Sequence, residues 1–537
     1  MKRRTVSWRR ATPMLAMLAT LIAALAWASR PALAMPSVVT DQGPLKGVVV
    51  SNVNEYLGIP YAAPPVGKRR WLPPKSPEDF RGLFNATHFG NMCPQTDTFG
   101  AVIGSEDCLY LNVYTPTSGP PAHGFPVMVW IHGGGLTGGS GSLYDPTRLV
   151  KKGRVIVVTI NYRLGALGFL AHPALDSEGH TNANYGLMDQ QFALKWLRRN
   201  IGAFSGDRNR ITIFGQSSGG LSVYSHLASP TAAGLFQRAI AQSGAGDNFQ
   251  DYLQFIVPLA DAEVTGTAFA TTIGCSSQTA SCLRATSASA IVLAQPSGLD
   301  PIIDGTLLTQ SLGTAIATGA FNHVPVISGS THDEWRVLIA QQYDFGSGPL
   351  TDGGYPDAVA ALIGAPVSDP FVQLLVNVLY PLTNYPPPAG VMSAPLALGA
   401  LGTDLLFSCP ARNANLSLSQ YVPTYAYEFN DENAPLYTGL LPASFPLGAY
   451  HGAEVQYLLT YLSIAAVFTA DQRQLSDLMI GYWTNFAKTG DPNFAGAPTW
   501  TPYSAATEQV QSLVPPTPIA ESSFDSDHLC SAFWSTF

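Results

Sequence analysis

Charged side chains are scarce in this sequence, 12% of its 537 residues, about half the share of an average soluble domain. Those present lean acidic, with 36 aspartates and glutamates against 28 lysines and arginines and a formal net charge of −8. Beyond residue 34 no basic stripe occurs, and phosphate recognition needs clustered positive charge, so nucleic acid is excluded as a partner. Long apolar runs are also missing there, and no stretch reaches the length that crosses a bilayer. Internal repeats are absent, which excludes solenoids and propellers.

What is present begins with a leader. "MKRRTVSWRR" is basic, "PMLAMLATLIAALAWAS" is apolar, and "ALA" ends at Ala34 with the small residues a signal peptidase accepts. Residues 1–34 therefore read as a cleaved signal peptide and 35–537 as the mature domain. The location expected is secreted or periplasmic, with no stable membrane association after cleavage. Arg3 and Arg4 suggest twin-arginine export, although Lys2 stands where serine or threonine is expected. The leader carries six basic residues and no acid, so its loss takes the formal charge from −8 to −14. Six cysteines, an even number in an exported chain, favour disulfides over metal sites or reactive thiols. Spacing admits many connectivities; local pairing joins Cys93 to Cys108 and Cys275 to Cys282, leaving Cys409 for Cys530.

"LKGVVV" and "EYLGIPYA" read as short antiparallel strands near the start. After them, short apolar runs closed by Gly, Ser or Asn recur: "VMVWIHGGG" (127–135), "RVIVVTINYR" (154–163), "RITIFG" (210–215), "RAIAQSG" (238–244), "VPVISGS" (324–330) and "TYAYEFN" (424–430). Such runs suit strands buried on both faces, hence a parallel sheet under helices. Between them, "YGLMDQQFALKWLRRNIGAF" (185–204) places Leu187, Phe192, Leu194 and Leu197 at helical spacing. Alternating strands and helices make the class α/β. The less patterned stretches at about 246–320 and 344–405 read as insertions over the sheet's C-terminal edge, where ligands bind in open α/β sheets.

"RITIFGQSSGG" (210–220) runs a buried strand into Gly-x-Ser-x-Gly ahead of the helix-like "GLSVYSHLAS". A tight strand-to-helix turn holds its central residue above the sheet when its neighbours lack bulk, and here that residue is Ser217. A serine hydroxyl is a weak nucleophile near neutral pH, so it needs a base and an acid that orients the base. It also needs backbone N–H donors for the oxygen of a tetrahedral intermediate. "HGGG", His132 to Gly135, offers such backbone directly after a strand.

"SEDCLYLNVYTP" (105–116), "PVMVWIHGGG", "NYRLGALGFL" (161–170), "GLMDQQFALKWLRRNIGAFSGD" and "ITIFGQSSGGLSV" together resemble the type-B carboxylesterase and cholinesterase family of α/β-hydrolases. The resemblance runs from about residue 37 to the C-terminus. It implies a mostly parallel central sheet flanked by helices, and a catalytic serine, glutamate and histidine in that chain order. Ser217, Glu334 in "GSTHDEW" and His451 in "GAYHGAE" stand at the matching positions. From the residues alone, Asp333 is a second candidate acid, and His528, in a polar tail beside Cys530, is the other histidine that follows. The resemblance further implies an oxyanion hole from the N–H groups of Gly134, Gly135 and Ser218. It also implies a network of Ser243 and Glu454 behind the site beside Gln216, ion pairs Arg70–Glu106 and Arg163–Asp189, and the disulfides Cys93–Cys108, Cys275–Cys282 and Cys409–Cys530.

The sequence departs from the family at Gln216, where glutamate is usual, at Ser218, where alanine is usual, and at Trp335, where glycine is usual. Gln216 removes a negative charge beside the nucleophile. The Cys93–Cys108 loop has no tryptophan to seat a quaternary ammonium. A choline ester is therefore disfavoured. Trp335 and Leu136, the latter where an aromatic is common, are candidate pocket residues. "NAT" at Asn85 and "NLS" at Asn415 match the glycosylation pattern, which the prokaryotic-looking leader makes idle. The expectation is a serine carboxylesterase that needs no metal or organic cofactor and acts on small-molecule esters of neutral or acidic character. A lipase of the same fold and a non-catalytic adhesion protein are the alternatives.

Overall fold

The computed structural model describes residues 35–180, 183–244, 256–437 and 442–534. The proposed signal peptide lies outside them. The central sheet contains, in chain order, β1 (Val48–Val50), β2 (Val53–Pro60), β3 (Tyr110–Pro116), β4 (Phe125–Ile131), β5 (Ile156–Ile160), β6 (Gly206–Gln216), β7 (Arg238–Gln242), β8 (Val326–Thr331), β9 (Thr424–Phe429), β10 (Val510–Leu513) and β11 (Ile519–Glu521). Their spatial order is β11-β10-β9-β8-β7-β6-β4-β5-β3-β2-β1. From β5 across β4 and β6 to β10 every neighbouring pair is parallel, while β1, β2, β3 and β11 pair antiparallel at the two margins.

Burial on both faces explains the unbroken apolar runs. All seven residues of β4 are buried. Val127, Val129 and Ile131 enter one core, and Met128 and Trp130 the opposite one. The first core is closed by α1 (Tyr185–Asn200) and α2 (Ser218–Ala228). The second is closed by α3 (Ala394–Thr403) and α5 (Ala470–Thr489), while α4 (Cys409–Leu418) gives Cys409 to the second core and Ala414 and Leu418 to the first. The start of α5 is set by a capping box, in which the Thr469 hydroxyl and the Gln472 side chain satisfy each other's backbone N–H groups. Gly490, with φ 86°, ends it. This is the α/β-hydrolase arrangement, a mixed sheet flanked by helices.

The expected insertions leave the carboxyl ends of β7 and β8 and are more ordered than their patterning suggests. Between β7 and β8 lie the helices Leu259–Thr272, Ala280–Ala285, Ala288–Ala294 and Leu312–Ala317. Their periodicity is faint because they bury few side chains; of Leu259–Thr272 only Gly266, Phe269 and Ala270 are buried. One sequence expectation is corrected. Ala394–Leu418 is a continuous helical run of 25 residues, long and apolar enough by composition to cross a bilayer, yet 89% of its window is buried within the protein. It escaped a search for long apolar runs because Asp404 and Arg412 interrupt it. Arg412 pairs with Glu508 at 2.7 Å and Asp525 at 2.9 Å.

The disulfides are Cys93–Cys108, Cys275–Cys282 and Cys409–Cys530. Such bonds suit an oxidising compartment. Arg163 holds the fully buried Asp189 with two side-chain bonds of 2.7 Å, and Arg70 holds Glu106 with two of 2.6 Å. Arg70 also donates to the carbonyls of Arg284 and Thr286, which ties the inserted helices to the sheet's antiparallel margin.

Candidate active site

The strand β6 ends at Gln216 and α2 begins at Ser218, leaving Ser217 alone between them with φ 60° and ψ −128°. A side-chain residue in this region costs on the order of 1–3 kcal/mol and persists only where its surroundings hold it. The Ser217 N–H donates to the Gln242 carbonyl of β7 at 2.9 Å, and the Ser217 carbonyl accepts the first helical bond from Leu221. Tightness of the turn dictates its glycines. A Cβ on Gly219 would sit 2.1 Å from the Ile131 carbonyl oxygen, so any side chain there would push α2 away from β4.

Glu334 follows the end of β8 and is fully buried. Its Oε1 accepts from the Thr331 N–H at 2.7 Å, and its Oε2 accepts from His451 Nδ1. A backbone bridge aligns the two loops. Asp333 pairs with Tyr450, each one residue ahead of the acid and the histidine, and the Asp333 N–H donates to the Ala449 carbonyl at 3.0 Å. The Asp333 carboxylate is spent on this alignment, accepting from the Ala449 N–H at 2.9 Å and from Arg336. That commitment leaves Glu334 as the acid on His451.

With its Nδ1 proton given to Glu334, His451 presents a lone pair at Nε2, and the Gln216 amide lies 3.1 Å from that nitrogen. Gln216 is the residue before Ser217, so the accepting face of the imidazole is turned to the strand-to-helix turn. Phe407 packs against the ring at 5.1 Å between centroids, with Trp335 behind it at 6.2 Å. Burial disfavours a charge on His451, but Glu334, with a smaller contribution from Glu454, outweighs it and raises the imidazole pKa above its ordinary 6.5. Glu454 is pushed up to about 7 by burial and by repulsion from Glu334.

Gly134 and Gly135 are exposed, whereas His132, Gly133 and Leu136 around them are buried. Several side chains fix this segment. Gln95, inside the Cys93–Cys108 loop, donates to the Gly139 carbonyl at 2.9 Å and accepts from its N–H at 2.8 Å. Asn161 accepts from the Gly141 N–H at 2.8 Å, and the Tyr162 hydroxyl donates to the His132 carbonyl at 2.7 Å. His132 is stacked on Tyr162, and burial lowers its pKa to about 4, so it stays neutral. Ser218 is buried as the first residue of α2, where the helix N-terminus favours developing negative charge.

Some residues lie elsewhere than the sequence suggests. His528 does not lie in a polar tail; it is buried between Asp404 and Glu428, at 2.5 and 2.6 Å. Leu136 is fully buried in the core with φ 56° and lines no open pocket. Glu454 accepts from Gln242 at 3.1 Å, but Ser243 Oγ and Glu454 Oε2 have no hydrogen-bond partner among the described residues. Asn415 of the second sequon is buried, which bars a glycan there. Gln95, Asn161 and Phe407 escaped the sequence reading. Asn161 lies in the quoted "NYRLGALGFL" and Gln95 two residues after Cys93, the two signals that could have drawn attention to them.

A family model described as "Carboxylesterase family" matches residues 34–527. Para-nitrobenzyl esterase of Bacillus subtilis (strain 168) is 34% identical over 498 residues, covering 88% of this chain and 93% of that protein. Cocaine esterase of Homo sapiens is 32% identical over 512 residues, covering 89% and 88%. Among solved structures, a PNB esterase superposes with a TM-score of 0.76 at 32% identity, over 93% of this chain and 99% of that one. Spanned by that family model and similar to these enzymes over nearly its whole length, the chain belongs to the carboxylesterase family and is a carboxylic ester hydrolase.

Proposed function

We propose that the protein hydrolyses esters through an acyl-enzyme on Ser217, with His451 as general base and acid and Glu334 as its orienting partner. The observation that carries this reading is the hydrogen bond from His451 Nδ1 to the buried Glu334, which makes Nε2 an acceptor; that nitrogen accepts from the amide of Gln216, the residue before Ser217, and in the reaction it exchanges that amide for the Ser217 hydroxyl. His451 takes the Ser217 proton as Oγ attacks the ester carbonyl. The N–H groups of Gly134, Gly135 and Ser218 hold the oxyanion, each donor contributing roughly 10²–10³ in rate. Collapse of the intermediate expels the alcohol with the proton from His451. Water then adds by the same route, and the acid leaves. Glu334 keeps the imidazole in the productive tautomer and stabilises its charged form.

Gln216, which lacks a carboxylate's charge beside the nucleophile, favours neutral or acidic esters over cationic ones, and the relatives' names span para-nitrobenzyl, pyrethroid and cocaine ester hydrolysis. Residues 1–34 are the export signal, removed outside the cytoplasm where the three disulfides form. The test is steady-state and single-turnover hydrolysis of p-nitrophenyl esters from acetate to palmitate, by the parent and by Ser217→Ala. Short-chain activity that vanishes in the variant supports the carboxylesterase. Preference for palmitate, with a rate jump above its solubility limit, makes the protein a lipase, and equal rates in both proteins remove Ser217 from the mechanism.

A further inference from the structure

The loop that carries Gly134 and Gly135 is pinned at each end by a hydroxyl group. At its exit the Leu136 N–H donates to Ser218 Oγ at 3.1 Å. Ser218 lies beside the Tyr162 hydroxyl and opposes the rise that burial imposes on its pKa. At the entry, Tyr162 gives its own proton to the His132 carbonyl at 2.7 Å. Each end thus has its own hydroxyl anchor, Tyr162 donating at the entry and Ser218 accepting at the exit. The members are sealed from solvent, with His132, Leu136 and Tyr162 fully buried and Ser218 8% exposed. Only the two glycines between the pinned ends reach the surface.

We propose that the Ser218 hydroxyl is a positioning group for the oxyanion-binding loop, acting with Tyr162 to lock the segment from His132 to Leu136. The inference rests on the proposed roles of Gly134, Gly135 and Ser218 as oxyanion donors. Three successive glycines have the greatest backbone freedom available to a chain. Oxyanion donors, however, work only when fixed about 2.7–3.1 Å from the developing charge. Leu136 shows that the loop is held rather than relaxed, because a leucine at φ 56° is disfavoured without external anchors. Its N–H is held by Ser218 and its carbonyl accepts from Gly165 at 2.7 Å. Ser218 thereby acts twice: its N–H points at the same oxyanion whose other two donors its side chain keeps in place. Alanine at this position would keep the N–H and lose the lock.

The experiment compares the parent with Ser218→Ala, Tyr162→Phe and the double variant. It measures p-nitrophenyl butyrate kinetics, inhibition by a trifluoromethyl ketone that mimics the tetrahedral intermediate, and hydrogen exchange at the Leu136 amide. The expected result is a kcat about tenfold lower in each single variant, with KM within about twofold, since misplaced donors forfeit part of their effect. The ketone should weaken by the same factor as kcat/KM in every variant, because the same donors meet the inhibitor's oxyanion. Should Ser218→Ala fail to fold, Tyr162→Phe decides by the same readouts. A kcat within about twofold of the parent, or a loss confined to KM, overturns the proposal. If the parent hydrolyses no ester, the enzymatic reading fails by itself, and exchange still decides: faster Leu136 exchange in Ser218→Ala supports the lock, and unchanged exchange overturns it.

Discussion

Replacing His528 by glutamine tests whether a charged imidazole holds the C-terminal segment in place. His528 donates from Nδ1 to Asp404 at 2.5 Å and from Nε2 to Glu428 at 2.6 Å, and all three side chains are 5% exposed or less. Asp404 also accepts from Tyr380, whose hydroxyl accepts from Trp534, so the last described turn of the chain hangs on this cluster. Glutamine can donate to one carboxylate and leaves the other buried with only the neighbouring His332 as a cation, a change that costs about 3–5 kcal/mol. Unfolding entropy of about 2.1 cal/mol/K per residue over roughly 500 residues is on the order of 1 kcal/mol/K, so the Tm should fall by about 3–5 °C. Burial opposes the charge on His528, but Asp404 and Glu428 outweigh it and hold the pKa well above 6.5. A histidine raised in this way contributes its full stability below the unfolded pKa and loses it as pH climbs through the folded one. The gap between parent and variant should therefore be full at about pH 6.5 and narrow in the alkaline range. Calorimetry at one fixed scan rate across that range is the assay. Equal melting at about pH 6.5, or a gap independent of pH, would falsify the argument.

Three further outcomes follow from the same geometry. The acid limb of kcat/KM should lie above pH 6.5, because the raised His451 must lose its proton to act as base, and Glu454→Gln should move that limb to lower pH by removing a carboxylate that stabilises the charged imidazole. Activity at pH 5 equal to that at neutral pH speaks against it. Arg163→Met strands the fully buried Asp189 and should destabilise by about 3–5 kcal/mol, most of it recovered when Asp189→Leu is added; chemical denaturation of the single and double variants measures this. Gly219→Ala, whose Cβ would meet the Ile131 carbonyl at 2.1 Å, should cut kcat by about 10² or more while Gly202→Ala, at an exposed glycine with open space around it, leaves kcat unchanged.

The parallel sheet was legible in the sequence because strands buried on both faces need continuous apolar runs, and "VMVWI" meets that need residue by residue. Ser217 was legible because the turn that exposes it demands glycine at fixed offsets. What stayed hidden depends on contacts between distant positions. The tail around His528 looks polar because its partners, Asp404 and Glu428, stand 124 and 100 residues away. Leu136 looks like a pocket residue from its place after the glycines, yet its left-handed backbone turns it into the core. The hydroxyl at 218 reads as a departure from family pattern, and only the fold brings it to Leu136, 82 residues earlier.

The central claim is that Ser217 is the nucleophile. Its most direct test is treatment of the intact protein with diethyl p-nitrophenyl phosphate, followed by mass analysis of the protein and its peptides. The account predicts release of one p-nitrophenolate, one diethylphosphoryl group per chain on the peptide that contains Ser217, and no adduct in Ser217→Ala. A protein that stays unlabelled, or a group carried on another residue, contradicts it.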